Sequence, residues 1–229
     1  MRWITIIGIT LALNIIWWQE PIFHGDVLAK AQQWQIWPLL GYSFSCSASI
    51  AFLIRNRFTH SASYLFLLLS MLVAFNSQIR NRFEIFALLI LFAIFLALVP
   101  QDILHLKNTL GLLAFSVLAA YAVPVSISFL ANNYITQIFI NRSWPMLYGF
   151  IFFFTPIFIP NAKGRLLSLV TILAFWIASL LTFGFHLNVF LAILLSLPPF
   201  LLQFNKPNFI RWEPLLSIIC LCLATILLY

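Results

Sequence analysis

Nine apolar segments follow one another along the chain, and short connections containing Arg, Lys, Asn, Pro and Gly separate them. A membrane-spanning helix needs about 20 mainly apolar residues, and most of these segments approach that length. The pattern therefore predicts an all-α, polytopic integral membrane bundle of about nine transmembrane helices, with residues 1–229 forming a single transmembrane domain. The segments lie at about 3–18, 36–54, 61–79, 84–100, 109–131, 145–160, 166–184, 187–204 and 214–229.

Composition supports a membrane protein and excludes several other classes. The chain has 229 residues, of which 63% are hydrophobic and 7% charged, whereas about a quarter of the residues in an ordinary globular domain are charged. These values exclude a soluble protein. Nine spans of about 20 residues also leave no room for a soluble catalytic or nucleic-acid-binding domain. The net charge of +7 is explained by Lys and Arg in cytoplasmic loops, so we expect no nucleic-acid partner.

Lys and Arg are unequally divided between the two sets of alternate connections. Because short cytoplasmic loops are enriched in these residues, the division predicts a cell inner membrane protein with a cytoplasmic N-terminus and an outward first connection, residues 19–34. The first segment lacks a small-x-small cleavage site and is expected to be an uncleaved signal anchor. One set holds eight basic residues, Arg2, Arg55, Arg57, Lys107, Lys163, Arg165, Lys206 and Arg211, and the other holds four, Lys30, Arg80, Arg82 and Arg142.

No common metal or catalytic motif is present. Cys220 and Cys222 are two residues apart in an apolar segment, and such a pair points in different directions on a helix, so no zinc or redox site is predicted. All four histidines map to connections or segment ends, which excludes paired axial haem ligands inside helices. HExxH, GxSxG, glycine-rich phosphate loops and catalytic carboxylate pairs are absent. We predict no metal site and leave the cofactor open.

The first connection contains the candidate catalytic residues. In His24-Gly25-Asp26, the imidazole could act as a base that the neighbouring carboxylate orients. The alternative interpretation is a polar turn with Gly25 at its bend.

A second candidate is Arg80-Asn81-Arg82, which precedes the fourth segment. Guanidinium groups bind planar acceptors through two N–H groups, so these residues could bind an anionic headgroup, a peptide carboxylate or a quinone oxygen. The alternative is that they anchor the chain at the membrane interface.

A third candidate follows Pro124, which is expected to interrupt the fifth segment. Asn132 and Asn133 could line a polar ligand pocket beyond this proline. Alternatively, such side chains only join helices through hydrogen bonds.

Several short motifs share their order and spacing with one known family. They are Arg2 before the first segment, Pro21-Ile22-Phe23-His24-Gly25-Asp26-Val27-Leu28, Arg55-Asn56-Arg57, the stretch from Phe75 to Arg82, and the stretch from Phe175 to Phe190 that runs on to Leu197-Pro198. With these motifs, residues 1–204 resemble the HTTM family, the horizontally transferred transmembrane domain, leaving an additional C-terminal helix at 214–229. The HTTM domain is the membrane part of vitamin K-dependent γ-carboxylase and its bacterial relatives.

The departures from that family concern its chemistry. Its carboxylases place a Lys, which acts as a base, after an aromatic-rich stretch, and residues 121–128 in the corresponding place contain no Lys. A His that family members often have before the last hairpin would fall near Trp176. Without such a base, the resemblance implies a shared membrane scaffold more than a shared reaction.

These features favour an accessory protein that helps to modify, mature or export a small secreted peptide, or that handles a lipid or quinone. Its expected partners are the lipid bilayer, such a peptide, quinone or lipid, and other membrane subunits. The ligand pocket is expected near the first connection and Arg80-Asn81-Arg82. One alternative is a degenerate membrane enzyme in which His24 and Asp26 transfer protons. Another is a small permease or structural membrane subunit.

Overall fold

Helices account for nearly all of the residues that the structure, a computed structural model, describes: 2–24, 33–55, 62–101, 104–204 and 213–229. These ranges contain no strand, which confirms the all-α prediction. The helices are α1 (Arg2–His24), α2 (Gln33–Arg55), α3 (Ala62–Ala74), α4 (Ser77–Arg80), α5 (Phe83–Leu98), α6 (Thr109–Asn132), α7 (Gln137–Phe158), α8 (Ala162–Phe183), α9 (Leu187–Phe204) and α10 (Glu213–Leu228).

Each predicted apolar segment overlaps a helix, but some helix ends differ from the prediction. The third segment is divided into α3 and the one-turn α4, where the side chain of Asn76 accepts a hydrogen bond from the backbone N–H of Gln78. α1 continues past the polar Gln19, whose amide nitrogen donates a hydrogen bond to the carbonyl of Thr225 within the bundle. α7 begins well before the apolar residues because Thr136 caps its first turn.

α6 continues through Pro124 rather than being interrupted there. A proline ring inside a helix crowds the carbonyl four residues earlier, so the backbone near it needs support from neighbours. The crowded carbonyl is that of Ala120, and next to it the indole N–H of Trp17 donates to the carbonyl oxygen of Ala119 at 2.8 Å.

The first helix contacts three other helices and keeps one face exposed. α1 packs against α2, α6 and α10, so the two ends of the chain meet in one core. Around it, α2 packs on α3, α7 packs on both α6 and α8, and α9 packs on α10. The core between α5, α6 and α7 is aromatic: the ring centroid of Phe115 lies 4.7 Å from that of Phe154 and 5.3 Å from that of Phe158.

The distribution of residues between interior and surface is unusual. The buried face of α8 carries small and hydroxyl-bearing residues such as Gly164, Ser168 and Ser179. Its exposed face carries large apolar residues at helical spacing, namely Leu166, Val170, Leu173, Ile177 and Leu181. Four leucines on α3, Leu65, Leu68, Leu69 and Leu72, form a similar exposed stripe. On α3 and α8, large apolar side chains therefore face outward, and small or hydroxyl-bearing ones are among those that face inward.

Three helices among the described residues are long and apolar enough to cross a membrane. They lie within α2, α6 and α8, over Ile36–Arg55, Thr109–Phe129 and Ala162–Phe183. Five further apolar helices are shorter than these.

Candidate functional site

The predicted catalytic pair lies at the edge of the described chain. His24 is the last residue of α1. Asp26 and the rest of the connection from residue 25 to 32 lie outside the described residues, so the pairing of these two side chains stays a prediction.

The structure brings two of the predicted ligand-binding stretches together. Arg82, half-buried before α5, donates from Nη1 to the carbonyl oxygen of Phe129 at 3.0 Å. Its guanidinium carbon lies 5.7 Å from the centre of the Phe129 ring. The backbone N–H of Asn133 donates to the same carbonyl at 2.8 Å. Arg82 therefore joins the start of α5 to the end of α6.

The other residues of these stretches lie at the surface. Arg80 and Asn81 are exposed at the end of α4, and Asn133 is exposed in a left-handed turn with φ 61°. Asn132 is the last residue of α6. The contact of Arg82 with Phe129 is therefore structural in form, while Arg80, Asn81 and Asn133 are exposed.

A groove of about 690 Å³ runs along α1, between α2 and α10. This volume lies within the range of about 300–1,000 Å³ that is usual for small-molecule sites. Five α1 residues form its floor: Asn14, Ile15, Trp18, Gln19 and Ile22. With 3.6 residues per turn, these five cover an arc of about 140° of the helix. Asn14 and Gln19 stand at the two edges of the arc, and the three apolar side chains lie between them.

The walls of the groove come from the other two helices. Ile36, Leu40 and Phe44 recur every four residues and therefore share one face of α2. Ile226 and Tyr229, at the end of α10, form the opposite wall. The rim of the groove is open to the surroundings, since the side chains of Ile15, Phe44 and Ile226 are between 42% and 46% exposed. An apolar molecule could therefore enter from the side of the bundle.

Both polar edges of the groove are tied to its walls. The amide nitrogen of Asn14 donates to the carbonyl of Thr10 at 2.8 Å and to the hydroxyl of Ser47, on α2, at 2.6 Å. The amide nitrogen of Gln19 donates to the carbonyl of Thr225, on α10, at 3.2 Å. These bonds orient the two amide side chains in the empty groove.

The deep floor is held in a similar way. Trp18 is 7% exposed, and its indole N–H donates to the hydroxyl of Ser43 on α2 at 3.0 Å. At the end of α10, the hydroxyl of Tyr229 donates to the carbonyl of Arg142 at the start of α7. Hydrogen bonds therefore hold the three helices that line the groove in place within the bundle.

The position of the groove agrees only in part with the pocket expected from the sequence. It lies at the end of α1 from which the first connection leaves, but its lining residues do not include Arg80, Asn81 or Arg82. The sequence offered one signal for it: Asn14 is a polar amide in the middle of an apolar segment, which demands a partner. The presence of Asn14 does not predict that α10 forms one wall of the groove.

Within the described ranges, no group of three or more His, Cys, Asp or Glu side chains could hold a metal ion. No family model, curated protein or solved structure matches this chain. The HTTM resemblance therefore stays a prediction, and it depends on the short motifs that carry it.

Proposed function

We propose that the chain is a multi-pass membrane protein with nine spans, and that it holds a lipid-like or quinone-like molecule in the groove between α1, α2 and α10. The observation that carries this proposal is the groove itself, which is apolar on its floor and open at its rim. Its role is accessory: it binds and presents this molecule.

The outer surface supports a bilayer as the surrounding medium. Contiguous apolar patches larger than a few hundred Å² are rare on soluble monomers. Here the exposed stripes on α3 and α8 run along whole helices, and the buried faces carry Ser, Thr and Gly. Membrane bundles pack in this way because small residues allow close approach of helices, while lipid solvates large apolar side chains.

The proposed orientation has a cytoplasmic N-terminus. The positive-inside rule then places the groove in the outer half of the membrane, because the groove lies at the C-terminal end of α1. A molecule diffusing in the outer leaflet could enter through the rim without crossing the polar interface.

A lipid site of this kind fits the accessory role in peptide maturation that the family resemblance implies, and that wider role stays a prediction. The enzyme alternative depends on His24 and Asp26. The permease alternative is disfavoured, since transporters usually carry ionisable groups at membrane depth and the ten described residues of the groove lining have side chains that are uncharged at neutral pH.

The test is photolabelling of the purified protein with a long-chain alcohol that carries a diazirine on its chain. We expect labelling of peptides from the second half of α1 and the first half of α2 that saturates and is displaced by unlabelled alcohol. Leu40→Trp fills the groove and should remove this labelling. The matched variant is Leu69→Trp on the exposed face of α3, which should retain it.

Labelling that rises linearly with probe concentration would contradict the proposal, since it is the behaviour of lipid at an ordinary bundle surface. Equal labelling of wild type and Leu40→Trp would contradict it too, provided that both proteins unfold at the same temperature in detergent.

A further inference from the structure

Two carbonyl oxygens in the residues of the groove have no hydrogen-bond donor. They are Oδ1 of Asn14 and Oε1 of Gln19, and both residues are only 6% exposed. An unpaired buried acceptor is unfavourable, and native structures contain few of them. Two such acceptors at opposite edges of one groove therefore indicate a donor that is supplied from outside the chain.

The neighbours of each amide group determine which of its two end atoms is the nitrogen and which is the oxygen. The amide group of Asn14 faces the carbonyl of Thr10, and that of Gln19 faces the carbonyl of Thr225. Of these two atoms, only the nitrogen can donate a hydrogen bond to a carbonyl oxygen, so the amide atom that faces it must be the nitrogen. Exchanging the nitrogen and oxygen positions of either amide is therefore excluded. The unpaired groups are therefore acceptors.

Most donors among the described residues of the groove are already engaged. The indole N–H of Trp18 bonds to Ser43, the hydroxyl of Tyr229 bonds to the carbonyl of Arg142, and the amide nitrogen of Asn14 has two acceptors. What the groove offers a ligand is thus an apolar floor flanked by two acceptors. The complementary molecule has an apolar body and a polar end that donates.

We propose that the ligand is a neutral lipid with a free hydroxyl group, which donates a hydrogen bond to Asn14 or Gln19. This inference rests on the proposed function of the groove. The ligand is neutral because the ten described residues of the lining include no Lys or Arg side chain to pair with an anionic headgroup and no Asp or Glu side chain to pair with a cationic one. Both oxygens are occluded in the empty groove, so a small side-chain shift accompanies binding.

The decisive comparison uses two competitors that differ only in whether a hydrogen or a methyl group is bonded to the oxygen. Hexadecanol donates and accepts hydrogen bonds, whereas hexadecyl methyl ether only accepts them. In wild-type protein we expect hexadecanol to displace the diazirine probe at roughly three- to tenfold lower concentration than the ether, which corresponds to one hydrogen bond. Because the protein is unchanged, this comparison does not depend on the folding of a variant.

Variants then assign the preference to the two oxygens. Gln19→Met and Asn14→Leu keep the approximate shape of each side chain and remove its acceptor, so at least one of them should reduce the alcohol preference to about onefold. Gln78→Met is the matched control, because Gln78 also has an unpaired buried Oε1 but does not line the groove. It should keep the full preference.

The outcomes separate the two proposals. If alcohol and ether displace the probe equally well in wild type, water satisfies the two oxygens and the hydroxyl-lipid proposal is wrong, while the groove remains a lipid site. If neither competitor displaces the probe, the proposed function itself fails. An equal loss of preference in Gln78→Met and Gln19→Met would also overturn the assignment to the groove.

Discussion

The indole nitrogen of Trp17 in α1 donates a hydrogen bond to the carbonyl oxygen of Ala119 in α6, at a distance of 2.8 Å. Both residues are fully buried, and the Trp17 ring also meets Phe92 of α5 edge to face, at 6.1 Å between centroids. One side chain therefore connects three helices close to the Pro124 position.

Trp17→Phe should destabilise the bundle by about 1–3 kcal/mol, since it removes a buried hydrogen bond and part of a large buried ring. The free energy of unfolding in mixed detergent micelles measures this loss. Trp37→Phe is the matched control, because Trp37 is 69% exposed on α2. Equal stability of the two variants would show that the Trp17 contact contributes nothing.

Arg82 is expected to act as a structural tie between α5 and α6. Arg82→Ala removes its hydrogen bond to Phe129 and its contact with the Phe129 ring, at a cost of about 1–3 kcal/mol. Arg80→Ala, at an exposed neighbouring position, should leave the unfolding temperature unchanged. Should Arg82→Ala keep full stability yet lose binding of an anionic headgroup, the ligand-binding interpretation would be favoured instead.

Gly164 occupies a position where a side chain cannot fit. The side chain of Asn161 caps α8 by accepting from the backbone N–H of Gly164, and a Cβ at Gly164 would overlap the backbone carbonyl of Ile159. Asn108 and Gly111 form the same arrangement at the start of α6.

We expect Gly164→Ala to destabilise the protein by about 1–3 kcal/mol, because the backbone before α8 must move. Gly41→Ala is the matched control, since a Cβ there would only touch a Val73 methyl group at 3.6 Å. The difference between the two unfolding temperatures is the measurement. A Gly164→Ala protein as stable as Gly41→Ala would mean that the turn is adaptable.

The proposed topology predicts opposite sides for the two ends of α7. Tyr134→Cys, at an exposed site before α7, should react with a membrane-impermeant maleimide in intact cells. Ala162→Cys, exposed after α7, should react only after permeabilisation. The native cysteines, Cys46, Cys220 and Cys222, are buried and provide a low background. Labelling of both variants in intact cells would refute a span between these positions.

Some features of the candidate site were accessible to sequence reasoning and others were not. The basic character of Arg80 and Arg82 drew attention to the α4–α5 turn, but the bond from Arg82 to Phe129 joins residues 47 positions apart. Gln19 follows an apolar run, so the sequence predicts that the first connection starts there. Its partner, Thr225, lies 206 positions away, so local sequence could not show that the helix continues through it.

The all-α class and the approximate positions of the helices follow from the amino-acid sequence alone, because the length and apolar character of a segment are local properties. Which helices meet depends on the tertiary packing. The groove exists because α10 returns to pack on α1 opposite α2, and it has polar edges because Asn14 turns toward α2 while Gln19 turns toward α10. Such an arrangement depends on the summed packing of all the helices, and no single segment encodes it.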